Sequence, residues 1–371
     1  MMSDLNPIRD AGYTPEQQTL FDAARADLPV EDPRPARVIA VFGDSCTVLH
    51  ADGESPAYLS GRLMTGPGGS QVVAGDWVVI QRPPDAEFAL IEAVLPRRTQ
   101  LSRRAPGGGP TQLLAANVDI ALLVQGLDRD YNPRRLERYL ALVHGGGATP
   151  VIVLNKSDLL EVDERDEKSA GVRAVAGETR IIVCSAASGE GTDELQALTR
   201  PGRTFVLLGS SGAGKSTLVN RLLGFERQRT GVTSTAHGKG KHTTTTRELI
   251  VSPERGVLID SPGLREVALD ETADLGAVFT EIDALAADCR FRDCLHESEP
   301  GCAVQAAIER GDLPADRLAA YLRLQREQER LHTPESIREA KLKRRAERKT
   351  ARDTGKLYKN IQARKRKERG R

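Results

Sequence analysis

The chain has 371 residues, 39% hydrophobic, 4% aromatic and 28% charged, close to globular averages, which excludes wholesale disorder, collagen-like repetition and a disulfide-stapled miniature. That length predicts two or three domains rather than one core. The formal net charge of +1 hides an asymmetry: residues 334–371 hold 16 Lys/Arg against 5 Asp/Glu, so this tail carries +11 and the remainder −10.

A basic tail on an acidic body predicts a polyanionic partner, the alternative being a solvated tail kept for solubility. No apolar run approaches the roughly 18 residues of a membrane span, and the start lacks a signal-peptide pattern. A cytoplasmic protein with no membrane partner is therefore expected.

Residues 1–35 are polar, and Pro29, Pro33 and Pro35 interrupt any periodicity, so they read as an extension or linker. Residues 36–98 carry short apolar or alternating runs, such as Arg37-Val38-Ile39-Ala40-Val41 and Asp76-Trp77-Val78-Val79-Ile80, between turn pairs such as Gly43-Asp44 and Asp52-Gly53. Several strands in so short a span predict a small β-barrel, OB-like in the first instance, although an SH3-like barrel reads almost the same. After a loop at Ala105–Pro110, residues 99–270 alternate strand with helix. Buried-strand runs begin near Val118, Pro150, Arg180, Thr204 and Gly256, with a helix over Pro133–His144. This rhythm predicts an α/β domain with a parallel sheet covered on both faces. Residues 271–333 read as a helical, cysteine-bearing domain, and 334–371 as the basic tail.

Gly209-Ser210-Ser211-Gly212-Ala213-Gly214-Lys215-Ser216 is a phosphate-loop pattern, placed after an apolar strand and before a helix that opens with Thr217. Its glycines let backbone N–H groups turn inward around a β-phosphate, Lys215 neutralises the β- and γ-oxygens, and the Ser216 hydroxyl ligates Mg²⁺. Asn155-Lys156-Ser157-Asp158 follows another strand. An aspartate there accepts from guanine N1–H and the exocyclic amine, a donor pair that adenine lacks. Ser185-Ala186 after a third strand would supply a backbone N–H for guanine O6. Asp260-Ser261-Pro262-Gly263 has Asp260 placed to hold Mg²⁺ through water and the Gly263 amide to sense a γ-phosphate. Upstream, a hydroxyl from Thr243, Thr244 or Thr245 would join the Mg²⁺ shell, with Thr244 taken for the site. Loops from successive strands converge on one ligand at the carboxyl ends of an open sheet.

Asn155 precedes Gly209 by 54 residues, whereas in ordinary guanine-nucleotide switches the phosphate loop comes first. The domain is therefore read as circularly permuted, which close-lying termini permit. The segment after Gly263 then leads out of the domain into the cysteine-bearing region.

Cys289-x4-Cys294-x-His296-x5-Cys302 places three of the five cysteines and a histidine within 14 residues. Three thiolates and an imidazole suit a closed, structural Zn²⁺ site, with buried or redox cysteines the alternative. Cys46 and Cys184 lie in strand patterns and read as small core residues.

On these motifs, the Gln112…Ala115-Ala116-Asn117-Val118-Asp119 entry and the His242-Thr243-Thr244-Thr245 segment, the chain resembles the ribosome small-subunit-dependent GTPase A family over residues 36–331. That resemblance implies an N-terminal OB barrel, a central circularly permuted GTPase and a C-terminal zinc domain. It also implies GTP and GDP as ligands and the small ribosomal subunit with its rRNA as partner, in late subunit maturation. A monomer is expected. Where many switch GTPases have a water-orienting glutamine, this chain has Leu264, so slow intrinsic turnover is expected. His242 is the candidate to orient water, with Lys215 and Thr244, once the ribosome orders its loop. The competing readings are an RNA-binding scaffold with a regulatory nucleotide pocket and an ATP-using P-loop enzyme.

Overall fold

The computed structural model describes residues 7–65, 71–104, 111–224, 247–260 and 269–330. Five strands form the barrel: β1 (Arg34–Phe42), β2 (Ser45–His50), β3 (Gly53–Leu59), β4 (Trp77–Gln81) and β5 (Ala89–Val94). They run in the order β1-β2-β3-β5-β4, and a β1–β4 pairing closes the ring. The β3–β5 pair is parallel and the others antiparallel. That parallel pair is the OB arrangement and decides against the SH3-like alternative. Val38, Val48, Val78, Ile80 and Ile91 fill the barrel, all fully buried.

Ahead of the barrel, the stretch read as a linker contains two short helices, α1 (Pro7–Asp10) and α2 (Pro15–Ala26). Pro15 sits in the first turn of α2, where a missing N–H costs nothing, and Thr14 with Gln17 makes a capping box. This stretch buries Ile8, Ala11 and Phe21 against the barrel and the α/β core, and Tyr13 meets Trp77 edge-on at 5.2 Å. Pro29, Pro33 and Pro35 all follow α2, so they do not interrupt it.

A short helix α3 (Gly61–Thr65) joins β3 to β4. Past the barrel, β6 (Gln100–Arg104) and β7 (Thr111–Ala116) form a separate antiparallel hairpin. Its turn, the expected loop Ala105–Pro110, lies outside the described residues. The main sheet then takes β8 (Ile120–Gly126), β9 (Thr149–Asn155), β10 (Arg180–Val183), β11 (Thr204–Leu208), β12 (Arg247–Ser252) and β13 (Gly256–Asp260). Their order is β10-β9-β8-β11-β13-β12, parallel except for β12. All seven residues of β8 and all five of β11 are buried, as expected of strands covered on both faces. The covering helices are α4 (Pro133–Gly145), α5 (Val162–Ala176), α6 (Thr192–Leu198) and α7 (Lys215–Leu223). The strand ending in Asn155 precedes the strand feeding the phosphate loop, so the sheet is wound in permuted order.

Barrel and sheet are continuous. β1 pairs antiparallel with β12 through Ala40↔Glu248 and Val41↔Arg247, giving one ladder of eleven strands. The remaining described segment carries α8 (Thr280–Ala286), α9 (Ala303–Arg310) and α10 (Ala315–Glu329). It packs on α4 through Arg317, which is 9% exposed. Its guanidinium bonds Glu137 at 2.7 Å and the Val278 carbonyl at 2.7 Å, and lies over the Phe279 ring at 4.2 Å.

Candidate nucleotide site and metal centre

β11 enters the phosphate loop with no exposed residue. Gly209 (φ +148°) and Gly214 (φ +91°) then approach other groups too closely for any side chain: a Cβ would stand 2.2 Å from the Val124 carbonyl oxygen and 2.2 Å from Asn155 Nδ2, respectively. Gly212 also has positive φ. The loop ends where α7 begins at Lys215, whose Nζ donates to the carbonyls of Gly209 (2.7 Å) and Ser210 (2.6 Å). Around this cradle, Ser211, Gly212, Ser216 and Thr217 are exposed and Ala213 is buried. A helix N-terminus behind a glycine loop with a lysine held over it is a ready site for phosphate.

Asn155 ties the loops together. It is 1% exposed; its Nδ2 donates to the Ala213 carbonyl at 2.9 Å and its Oδ1 accepts from the Ala186 amide at 2.9 Å. The loops after β9, β10 and β11 are thereby fixed to one another. Asp158 is exposed and has no side-chain partner among the described residues, which leaves both oxygens free to accept. Lys156 adopts a left-handed conformation (φ +69°), and its ammonium bonds Asp128 at 2.6 Å, holding that carboxyl below the usual carboxylate range.

The amides of the Ser185–Ala186 segment already have partners within the fold. The Ser185 amide donates to the Glu190 carbonyl at 2.9 Å, and the Ala186 amide is taken by Asn155. One residue on, the Ala187 amide makes no hydrogen bond among the described residues. Arg221 of α7 braces this loop from behind by donating to the carbonyls of Ala186 (3.3 Å) and Ala187 (2.9 Å). Cys184, beneath it, is fully buried, and burial pushes its thiol up to about 12. Burial likewise raises Cys46 to about 11, so both are neutral core thiols.

Two residues of the loop after β8 also reach the site: Asp128, through Lys156, and Asp130. Asp130 accepts from Ser210 Oγ at 2.5 Å and from Arg135 at 2.8 Å. The signal for them was available, since Asp128-Arg129-Asp130 follows a strand whose neighbours in the sheet carry the two motifs. Asp260 ends β13, half-buried. The other residues expected at the γ-phosphate, namely His242, Thr243, Thr244, Thr245, Ser261, Pro262, Gly263 and Leu264, lie outside the described residues. A cavity of about 530 Å³ opens elsewhere, at the amino ends of β8, β9 and β11, among Arg37, Trp77, Arg98 and Thr204.

In the C-terminal segment the four expected ligands meet. One donor atom from each of Cys289, Cys294, His296 and Cys302 lies within 4.8 Å of the others. Cys289 Sγ is 3.6 Å from His296 Nδ1 and 3.9 Å from Cys302 Sγ, and Cys302 Sγ is 3.5 Å from His296 Nδ1. A tetrahedral ion with bonds of about 2.3 Å to sulfur and about 2.0 Å to nitrogen spaces its ligands about 3.8 Å (S···S) and about 3.5 Å (S···N) apart. The donors fit such an ion, whereas a disulfide would need sulfurs about 2.05 Å apart. Local structure sets the spacing: His296 takes a left-handed turn (φ +61°), Gln305 donates to its carbonyl at 2.6 Å, and Cys302 caps α9.

Residues 94–270 match the family model described as RsgA GTPase. The chain is 46% identical over 327 residues to the small ribosomal subunit biogenesis GTPase RsgA of Syntrophotalea carbinolica, covering 85% of this chain and 88% of that one. It is 50% identical over 308 residues to the protein of the same name from Opitutus terrae, covering 79% and 83%. The chain belongs to the RsgA GTPase family. Among solved structures it is similar to YjeQ from Thermotoga maritima, with a TM-score of 0.59 at 26% identity over 79% of this chain and 97% of that one. YloQ, described as a circularly permuted GTPase, shares the fold with a TM-score of 0.57 at 24% identity. The permuted strand order and the Cys3His group thus belong to an RsgA-family chain. A GTPase of this kind works with Mg²⁺ bound alongside GTP.

Proposed function

We propose that this protein hydrolyses GTP to GDP in the service of small ribosomal subunit maturation, binding the subunit with GTP in place and leaving after hydrolysis. The observation that carries the reading is Asn155, which locks the phosphate loop to the base-reading loop while Asp158 stays free to take a guanine edge. Phosphates would lie on the amides of residues 209–215, with Lys215 moving from the loop carbonyls onto the β- and γ-oxygens. The base would lie between Lys156 and the Ser185–Ala187 loop. Magnesium, held by Ser216, Asp260 and Thr244 or a neighbouring threonine, supplies charge neutralisation on the phosphate oxygens when bound. Gly263 would report the γ-phosphate, and His242 would orient water when the subunit is bound.

Zinc is the metal we assign to Cys289, Cys294, His296 and Cys302, in a structural role, because four protein donors leave no open position. The functional division follows 1–35, 36–98, 99–270, 271–333 and 334–371, with the barrel, the zinc domain and the basic tail together offering the rRNA-facing surface. We further propose a cytoplasmic monomer; no helix among the described residues is long and apolar enough to cross a membrane. GTP turnover with purified small and large subunits tests the proposal. Turnover stimulated by the small subunit alone supports it. Guanine-nucleotide binding without any stimulated cleavage would leave a scaffold with a regulatory pocket.

A further inference from the structure

Aromatic residues are scarce in this chain, yet three of the four exposed ones among the described residues share one strip of the barrel. Phe42, Tyr58 and Phe88 are 51%, 45% and 37% exposed. The register places them together. Phe42 pairs with Ser45, and Cys46 pairs with Ala57, which sets Ser45 beside Tyr58. Tyr58 in turn pairs with Leu90, and Phe88 lies two residues before Leu90 on the same face. Cys46, Ala57 and Ala89 alternate with them and point into the barrel core, so the strip faces outward. Tyr58 and Phe88 meet edge-to-face at 5.6 Å. From β1 to β5 the strip crosses three strand spacings, about 14 Å, the length of about four residues of extended chain.

Charge decides what fits there. Residues 36–98 hold five Arg and no Lys against seven Asp/Glu. Of the arginines, Arg37 is buried, Arg97 is committed to buried Asp76 at 2.7 Å, Arg62 pairs with Glu92 at 3.1 Å and Arg98 pairs with Asp119, while the exposed Arg82 in the β4–β5 loop lies 3.9 Å from Asp52. By contrast Asp44, Glu54, Asp85 and Glu87, which surround the strip in the β1–β2 turn, on β3 and in the β4–β5 loop, are exposed and have no cationic partner among the described residues. OB barrels commonly bind oligonucleotides on this side, but phosphates would meet four uncompensated carboxylates here. A second copy of the barrel would bring the same negative charge. Aromatic faces ringed by carboxylates favour cations, whose ammonium or guanidinium groups stack on the rings and pair at the rim.

We propose that this face docks an extended lysine- and arginine-rich segment of a protein partner, with aliphatic stems and cationic heads over Phe42, Tyr58 and Phe88 and ion pairs to Asp44, Glu54, Asp85 and Glu87. The inference rests on the barrel alone, so it stands or falls separately from the nucleotide reading.

The test uses the full chain and two labelled probes followed by fluorescence anisotropy at near-physiological salt: a ten-residue peptide alternating lysine, arginine and glycine, and a ten-nucleotide oligouridylate. Replacing Tyr58→Ser with Phe88→Ser, and separately Glu54→Lys with Glu87→Lys, is expected to weaken the peptide at least tenfold in each case. Oligouridylate binding should not weaken in either variant, and GDP affinity, measured alongside, should be unchanged and so report intact folding. Peptide affinity unchanged in both variants would overturn the proposal. A tenfold loss of oligouridylate binding on removing the aromatics would also overturn it, by making the strip a base-stacking platform.

Discussion

In the proposed reading of the base, Asp158 is the exposed acceptor and Asn155 the buried strut. An Asp158→Asn change keeps the shape and turns one acceptor oxygen into a donor, which faces the donors of guanine. GTP affinity measured by calorimetry should fall about 100-fold or more, because a polar pocket penalises a mismatched partner heavily. Xanthosine triphosphate, with a carbonyl where guanine has its amine, should recover most of the loss by accepting from the new amide. ATP should bind neither form. The motifs that carry these residues were legible in the sequence because each has a fixed spacing at the end of an apolar strand. Arg221 was not, since it holds a loop in place from a helix and carries no spacing rule, and Asp130 could be suspected only from its position after a strand between the two motif strands.

Among the elements, the β2–β3 turn contains a pH-sensitive contact. His50 is 2% exposed, its Nδ1 accepts from the Asp52 amide at 3.2 Å and its Nε2 lies 2.8 Å from Ser55 Oγ. Burial holds its imidazole below the ordinary histidine range, and burial does the same to His144 in α4. The unfolded chain therefore takes up protons first on acidification. The contribution of these two histidines to stability is full above about pH 6.5 and declines as the pH falls below that value. Denaturant midpoints at pH 7.5 and 5.5 should differ for the native chain and differ less for His50→Gln. The brace between α10 and α4 gives a larger effect. Arg317→Met strands the buried Glu137 and should cost about 3–5 kcal/mol in unfolding free energy, while adding Glu137→Leu should restore most of it. Strand and helix rhythm made the sheet readable, but the packing of α1 and α2 was hidden by prolines that turned out to lie beyond the helices. The β6–β7 hairpin was likewise obscured by the glycine-rich stretch at its turn.

Across the whole molecule, charge is segregated: an acidic body and a basic end. Removing residues 334–371 should weaken association with the small subunit and flatten its dependence on salt, since fewer counterions are then released. Nucleotide affinity should hold; sedimentation binding across a salt series measures the first and calorimetry the second. The permuted order was evident from two motifs in reversed sequence. The fusion of barrel and sheet was not, because an antiparallel pairing between residues some two hundred positions apart leaves no periodicity to read. That seam has a mechanical consequence. It consists of Ala40↔Glu248 and Val41↔Arg247, and Arg247 is the first described residue after the stretch bearing Thr243, Thr244 and Thr245. Whatever γ-phosphate does to that stretch, its far end is riveted to the barrel wall one residue from Phe42. A pull carried along β12 would therefore load the barrel wall through those two rungs, so a change at the nucleotide would be felt as torque in the barrel.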